Sequence, residues 1–199
     1  ILTPAGAVYH LNLLPEQLAP TVILVGDPDR VKEVSKHFDQ LWYRVQHREF
    51  VTHTGMLNGK PISVVSTGIG TDNIDIVLNE LDSLVNIDLV SREPKTKLTQ
   101  LNLVRVGTSG ALQADIEVDS LVCSSHGLGL DGLMPYYHAP QTEEEVQMTA
   151  AFKHELPELA KVAHPYVFEG SPVLLHQIAQ NDLTRGITLT CPGFYAPQG

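Results

Sequence analysis

The sequence has little basic charge, few cysteines and no long apolar run, and each shortage excludes a class of protein. Its 13 Lys and Arg stand against 23 Asp and Glu, giving a net charge of −10 and no basic stripe for nucleic acid. The two cysteines, Cys123 and Cys191, lack metal-ligand spacing and favour a reducing compartment, although counting alone does not exclude one disulfide. No apolar run reaches the roughly 18 residues of a membrane span, and the first residues lack a secretory pattern. We therefore expect a cytoplasmic protein without nucleic-acid or membrane partners.

The composition that is present is typical of one globular domain. Apolar residues make up 43% of the 199-residue chain and charged residues only 18%, which argues against a disordered protein. A chain of this length can bury one sizeable core. We therefore predict a single α/β domain over residues 1–199.

Two loops that contain glycine and arginine follow predicted buried strands. Residues 26–30 come after the apolar run 21–25, and residues 105–110 come after the run 102–104. In an open α/β sheet, ligands bind beyond the carboxyl ends of the strands. Arginine offers planar, bidentate donors that suit phosphate. The two loops together predict one oxyanion site built on Gly26, Arg30 and Arg105.

The rest of the chain reads as mixed strands and helices. Asp27 is the predicted N-cap of a helix that begins at Pro28 and runs to about Phe38. Asn58-Gly59 predicts a type I′ hairpin turn. The clearest helix follows the loop 67–70, and its predicted apolar face consists of Ile74, Val77, Leu78, Leu81, Leu84 and Val85.

Later elements have weaker signals. Residues 88–100 are polar and predict a surface excursion without chemistry of its own. We predict a buried strand over residues 118–125, a helix from Ser171-Pro172 to about residue 181, and a strand over residues 187–190.

Six ordered stretches, residues 8–11, 26–30, 47–50, 66–70, 105–110 and 193–199, resemble the nucleoside phosphorylase family and, within it, the uridine phosphorylases. The resemblance implies an α/β fold with a mixed, curved central β-sheet flanked by helices. It also implies a homo-oligomer, either a dimer or a hexamer built as a trimer of dimers. Family members continue beyond the base-recognition loop in which Gly199 lies, so we expect a domain that lacks the C-terminal part of the fold.

The resemblance implies a pentosyltransferase of nucleoside salvage. Such an enzyme cleaves the N-glycosidic bond of uridine with inorganic phosphate as co-substrate and needs no other cofactor. Two alternatives stay open, a purine nucleoside phosphorylase and a non-catalytic fragment that binds phosphate or nucleoside. A purine-specific relative normally carries an aspartate in the base loop, where this chain has Cys191-Pro192-Gly193 and then Gln198.

The resemblance also assigns roles to single residues. The residues implied to bind phosphate are Gly26, Arg30, Arg48, Arg105 and Thr108. His10 is implied to bind the ribose, and His10 and Arg48 to reach a neighbouring subunit's site. The residues implied to bind the base are Thr108, Ser109, Phe194 and Gln198. Glu49, Ile69 and Asn73 match positions where some relatives bind a monovalent cation such as K⁺, but Asn73 replaces a serine, which disfavours that metal site.

Seven of these residues have an ordinary structural alternative. Arg30 could be solvated or salt-bridged, and Arg105 could form a buried ion pair with a carboxylate. Arg48 could be a surface residue, and His10 could simply be exposed near the terminus. The remaining alternatives are backbone capping by Thr108, core packing by Phe194 and a solvated loop position for Gln198.

Overall fold

The strands of the computed structural model, which describes residues 1–179 and 183–195, form two main sheets in two units of the chain. The units are Ile1–Ser109 and Gly110–Gly199. Each is described below by itself. The single-domain expectation stays a prediction.

The first unit contains seven strands and two helices. In chain order they are β1 (Thr21–Val25), α1 (Pro28–Ser35), β2 (Gln40–His47), β3 (Phe50–Leu57), β4 (Lys60–Ser66), α2 (Thr71–Asn86), β5 (Ile87–Asp88), β6 (Glu93–Pro94) and β7 (Asn102–Arg105). Five strands form a mixed sheet in the order β2-β3-β4-β1-β7, in which β1 pairs in parallel with β4 and β7. The strands β2, β3 and β4 pair antiparallel. The predicted mixed central sheet is therefore confirmed.

Strand β1 shows why this sequence forms a sheet covered on both faces. Its side chains alternate between two apolar clusters, with Val22 and Leu24 in one and Val25 in the other. The first cluster includes the buried face of α2, and the second includes Val31 of α1. Each fully buried valine or leucine contributes roughly 1.5–3 kcal/mol of transfer free energy.

Several predicted elements of this unit are confirmed and two need correction. Asp27 caps α1 by accepting a 2.9 Å hydrogen bond from the N–H of Asp29. Asn58 and Gly59 both have positive φ, 50° and 73°, as a type I′ turn requires. Helix α1 ends at Ser35 rather than Phe38. On α2, Leu78 is exposed, and the buried positions are Val77, Leu81 and Leu84.

The polar segment after α2 is exposed, as predicted, and contains the short β5–β6 hairpin. Asn86, at the end of α2, fixes the far end of this segment through bonds to the N–H and carbonyl of Thr99. The chain then enters β7, the parallel edge strand.

The second unit is built on a three-stranded sheet. In chain order it contains β8 (Val122–Gly129), α3 (Glu143–Glu155), α4 (Pro157–Ala163), β9 (Tyr166–Glu169), α5 (Pro172–Ile178) and β10 (Thr184–Thr190). Strand β8 is central and pairs in parallel with β10 and antiparallel with β9. None of the helices in the described part of the chain has the length and apolarity of a membrane span.

The strand predicted at residues 118–125 is displaced towards the C-terminus. Asp119 has a φ of 68°, which interrupts extended backbone, and β8 begins three residues later. Most of β8 is also only partly buried. Ser171 caps α5 as predicted, with its Oγ accepting a 3.3 Å bond from the N–H of Leu174.

Candidate functional site

The carboxyl ends of the three parallel strands of the first unit bring together two of the predicted arginines and a glycine. Leu24 of β1 lies opposite Arg105 of β7, so the loop that begins at Gly26 faces the Arg105 side chain. A Cβ placed on Gly26 would lie 3.3 Å from Nη2 of Arg105 and 3.8 Å from the carbonyl oxygen of Gly68, which follows β4. This close approach explains glycine at position 26.

The backbone around Arg105 fixes its guanidinium. Nη1 donates a 2.9 Å hydrogen bond to the carbonyl oxygen of Val106. A Cβ on Gly107 would lie 3.3 Å from the same nitrogen, so a second glycine leaves room for the group. Arg105 is the last residue of β7 and is exposed overall.

Arg105 and Arg30 form a site of uncompensated positive charge. Partial burial of the guanidinium lowers the pKa of Arg105 below its ordinary value, and the positive charge of Arg30 lowers that pKa further. Among the described residues, neither arginine forms an ion pair with a carboxylate. The ion-pair alternatives for these two residues are therefore wrong for the described part of the chain. Two neighbouring cations without a carboxylate partner create a positive local potential, which attracts anions.

Thr108 and Ser109 lie in the loop after β7, close in sequence to Arg105, and both are exposed. In the described structure neither hydroxyl has a hydrogen-bond partner within the protein, so the capping alternative for Thr108 is not observed. The two hydroxyls are free to bind a ligand.

Arg48 lies in the tight turn between β2 and β3, where its φ is 55°. Its guanidinium carbon lies 5.6 Å from the centre of the Tyr9 ring, a cation–π distance. The Tyr9 ring in turn meets the His10 ring edge-on, with 5.0 Å between ring centres. The predicted ribose and phosphate residues His10 and Arg48 thus share one cluster. No hydrogen bond among the described residues joins this cluster to Arg30 or Arg105.

Glu80 of α2 holds the His10 segment. Its carboxylate lies 2.7 Å from Nδ1 of His10 and accepts bonds from the N–H of His10 (2.9 and 3.0 Å) and of Leu11 (2.8 Å). Nδ1 of His47 lies 2.9 Å from the carbonyl oxygen of His10. Glu80 and His47 were not predictable from the sequence, because partners 70 and 37 residues away leave no periodic or local signal.

The residues considered for a monovalent cation also lie together. Nδ2 of Asn73 donates 3.3 Å bonds to Oε1 of Glu49 and to the carbonyl oxygen of Ile69. Gly68, with a φ of 69°, adjoins them, and a Cβ there would lie 2.6 Å from the Asn73 amide nitrogen. Asn73 thus already supplies a donor to both oxygen groups. The expectation that this chain has no such metal site stays a prediction.

The other two residues predicted to bind the base, Phe194 and Gln198, belong to the second unit. Phe194 is 78% exposed and meets Tyr195 edge-on, so the core-packing alternative is wrong. Gln198 lies outside the described residues.

The sequence of this chain matches a known protein family. Residues 20–198 match the model described as the phosphorylase superfamily. The chain belongs to the phosphorylase superfamily. The match includes Gly26, Arg30, Arg48 and Arg105, and it agrees with the resemblance noted in the sequence.

Relatives within the superfamily include both pyrimidine and purine enzymes. Uridine phosphorylase from Thermococcus kodakarensis is 36% identical over 68% of this chain and 44% of its own length. Uridine phosphorylase from Escherichia coli is 35% identical over 63% of this chain and 45% of its own length. A DeoD-type purine nucleoside phosphorylase from Clostridium perfringens is 38% identical over 59% of this chain and 46% of its own length. The matches to these curated relatives thus span about half of the relatives' length.

Solved structures agree on the fold. A Trypanosoma brucei nucleoside phosphorylase whose crystal structure is described as showing uridine phosphorylase activity has a TM-score of 0.82 at 26% identity, covering 100% of this chain and 70% of that one. Uridine phosphorylase from Vibrio fischeri has a TM-score of 0.70 at 21% identity, and the match covers 99% of this chain and 69% of that one. The nucleoside phosphorylase fold expected from the sequence is confirmed.

Proposed function

We propose that this protein cleaves the N-glycosidic bond of uridine with inorganic phosphate. One observation carries the proposal. Arg30 and Arg105 have no carboxylate partner in the described structure, and Arg105 lies against Gly26 where β1 and β7 end. A phosphate dianion supplies the charge that such a site lacks, and its flat O–P–O faces match guanidinium geometry. The uridine phosphorylases among the relatives support the choice of nucleoside.

The reaction joins a phosphate oxygen to C1′ of the ribose while the bond between C1′ and the base nitrogen breaks. The bonding electron pair leaves with the base, which takes up a proton, and the products are uracil and ribose 1-phosphate. Gly26, Arg30, Arg105 and Thr108 hold the phosphate in our proposal and orient it for attack. Donors fixed before the reaction contribute roughly 3–4 kcal/mol each when they meet developing charge.

The proposal places two residues in a second copy's site, His10 against the ribose 5′-hydroxyl and Arg48 against the phosphate. It therefore includes a homodimer, alone or within a hexamer. Their common cluster with Tyr9 supports joint delivery, because the N-terminal segment and the β2–β3 turn then present the two side chains side by side. Phe194 stacks on the base in this proposal, and Thr108, Ser109 and Gln198 contact its polar edge. A cytoplasmic role in nucleoside salvage follows from that reaction, with phosphate as co-substrate and without a further cofactor.

The test is an assay of the full-length protein with uridine, thymidine and inosine, each with and without phosphate. We expect base release from uridine that requires phosphate and yields ribose 1-phosphate. Equal release without phosphate would show hydrolysis and contradict the proposal. Saturable phosphate binding without base release would indicate the non-catalytic alternative.

A purine nucleoside phosphorylase is the second candidate, because the Clostridium perfringens enzyme of that class is 38% identical over 59% of this chain. Inosine tests it in the same assay. Preference for inosine over uridine would replace the substrate while leaving the phosphate site unchanged.

A further inference from the structure

The carboxylate of Glu80 is saturated with bonds from one short segment of chain. Glu80 projects from α2, one turn before the buried Leu84, and its side chain is only 14% exposed. It meets the backbone N–H of His10, the N–H of Leu11 and Nδ1 of the His10 ring, all within 3.0 Å. Backbone and ring of one residue are thus bound to a single group.

This arrangement fixes both the position and the tautomer of the His10 ring. An ionised carboxylate only accepts hydrogen bonds, so Nδ1 of His10 carries the proton. In the neutral imidazole, Nε2 is then left as an acceptor. Nε2 has no hydrogen-bond partner within the described protein, and the His10 side chain is 27% exposed, so this acceptor is available to a ligand.

A second bond restrains the same segment from the other side. His47, the last residue of β2, directs Nδ1 to the carbonyl oxygen of His10 at 2.9 Å. With its N–H on Glu80 and its carbonyl on His47, the His10 backbone has no freedom to turn. What the ring presents to a ligand is therefore set by Glu80.

We propose that Glu80 is a positioning residue that acts through His10, holding Nε2 as the acceptor for the ribose 5′-hydroxyl of the nucleoside. This inference rests on the proposed function, in which His10 contacts the ribose. Glu80 itself does not touch substrate. A purely structural Glu80, which ties the N-terminal segment to α2, predicts different results in the experiment below.

The experiment compares uridine with 5′-deoxyuridine in the wild-type protein, in Glu80→Gln and in the control Glu158→Gln. The glutamine has the same shape, but its amide N–H₂ competes for Nδ1 and reverses the tautomer. We expect kcat/KM for uridine to fall about tenfold in Glu80→Gln, the effect of losing the hydrogen bond between the ribose 5′-hydroxyl and Nε2 of His10. The same variant should lose less than about twofold on 5′-deoxyuridine, which lacks the hydroxyl. Glu158, whose exposed carboxylate pairs with Lys161, should have no effect on either substrate.

An equal loss on both nucleosides would overturn the proposal in favour of a structural role, and so would no loss on uridine. If Glu80→Gln does not fold, Glu80→Asp replaces it. The aspartate keeps the charge but has a shorter reach, and the same selective loss on uridine is expected.

A second readout does not depend on activity. Long-range ¹H–¹⁵N spectra of the wild-type protein, with the His10 signal assigned from a His10→Gln variant, report which ring nitrogen carries the proton. We expect Nδ1. Protonation at Nε2 alone would overturn the proposal. If the wild-type protein cleaves neither nucleoside, the proposed function fails, while the spectra still decide whether Glu80 sets the tautomer.

Discussion

At the scale of single residues, the proposed function depends most on the assignment of Arg105 to phosphate binding. Its guanidinium is held by the Val106 carbonyl and has no acidic partner in the described structure. We expect Arg105→Ala to lower phosphate-dependent cleavage of uridine by roughly 100-fold or more, because a fixed donor to developing charge is lost. Initial rates over a range of phosphate concentrations measure the effect. Arg92→Ala, in the exposed segment after α2, is the control. Near-normal turnover of Arg105→Ala at saturating phosphate would contradict the assignment.

Gly26 tests the same site through packing instead of charge. The Cβ of an alanine would lie 3.3 Å from Nη2 of Arg105, so the guanidinium must move by a few tenths of an ångström. We expect Gly26→Ala to raise KM for phosphate several-fold, since misplaced groups lose binding steeply, and to change the melting temperature little. Gly127→Ala, where a Cβ meets nothing within 4 Å, is the matched control. An unchanged KM for phosphate would show that Gly26 does not border the site.

At the scale of elements, α1 and β3 meet through a buried polar pair. Oγ of Ser35 lies 2.7 Å from Nδ1 of His53, and both residues are buried. Burial lowers the pKa of His53 below its ordinary 6.5, and the charges of Arg44 and Lys32 lower it further. His53 therefore binds a proton less readily in the native protein than in the unfolded chain.

This shift predicts the direction of a pH dependence. Above about pH 6.5 both states hold His53 neutral, and as the pH falls through that value only the unfolded chain takes up the proton. The free energy of unfolding should therefore fall between pH 7.5 and 5.5, and it should fall less in His53→Gln than in the wild type. Urea unfolding at both pH values measures it, with the exposed His138→Gln as control. An identical pH dependence in wild type and His53→Gln would refute the role of His53.

Elements with a strong local signal were predictable from the sequence. The Asn58-Gly59 turn, the Asp27 cap and the periodic helix α2 follow from backbone preference and apolar spacing. Helix α3 was missed, although Thr142 and Glu145 form a capping box with their side chains and backbone N–H groups. Its apolar pattern is weak, so the capping box is its main signal in the sequence. The position of β8 depends on Asp119 adopting a positive φ, and no local residue pattern indicates that conformation.

At the scale of the whole molecule, the site combines positions that are local in sequence with positions that are not. The pairing of Gly26 with Arg105 was predictable, because two glycine- and arginine-containing loops follow strands that end at one sheet edge. The binding of His10 by Glu80 was not predictable, because it depends on how α2 packs against the N-terminal segment. The net charge of the chain is −10, so two neighbouring arginines without a carboxylate partner are unusual in this protein.

The last prediction concerns assembly and uses two inactive variants. If His10 and Arg48 serve a partner's site, Arg48→Ala and Arg105→Ala damage different halves of each site. In a mixed dimer one site then carries both defects and the other carries neither. Random exchange of equal amounts of the two variants should therefore restore about one quarter of wild-type activity, since half of the dimers are mixed and each has one intact site of two. Mixing followed by mild denaturation and refolding measures the recovery, and the double variant treated alone is the control. If Arg48 instead serves the site of its own chain, every site keeps one defect and no activity returns.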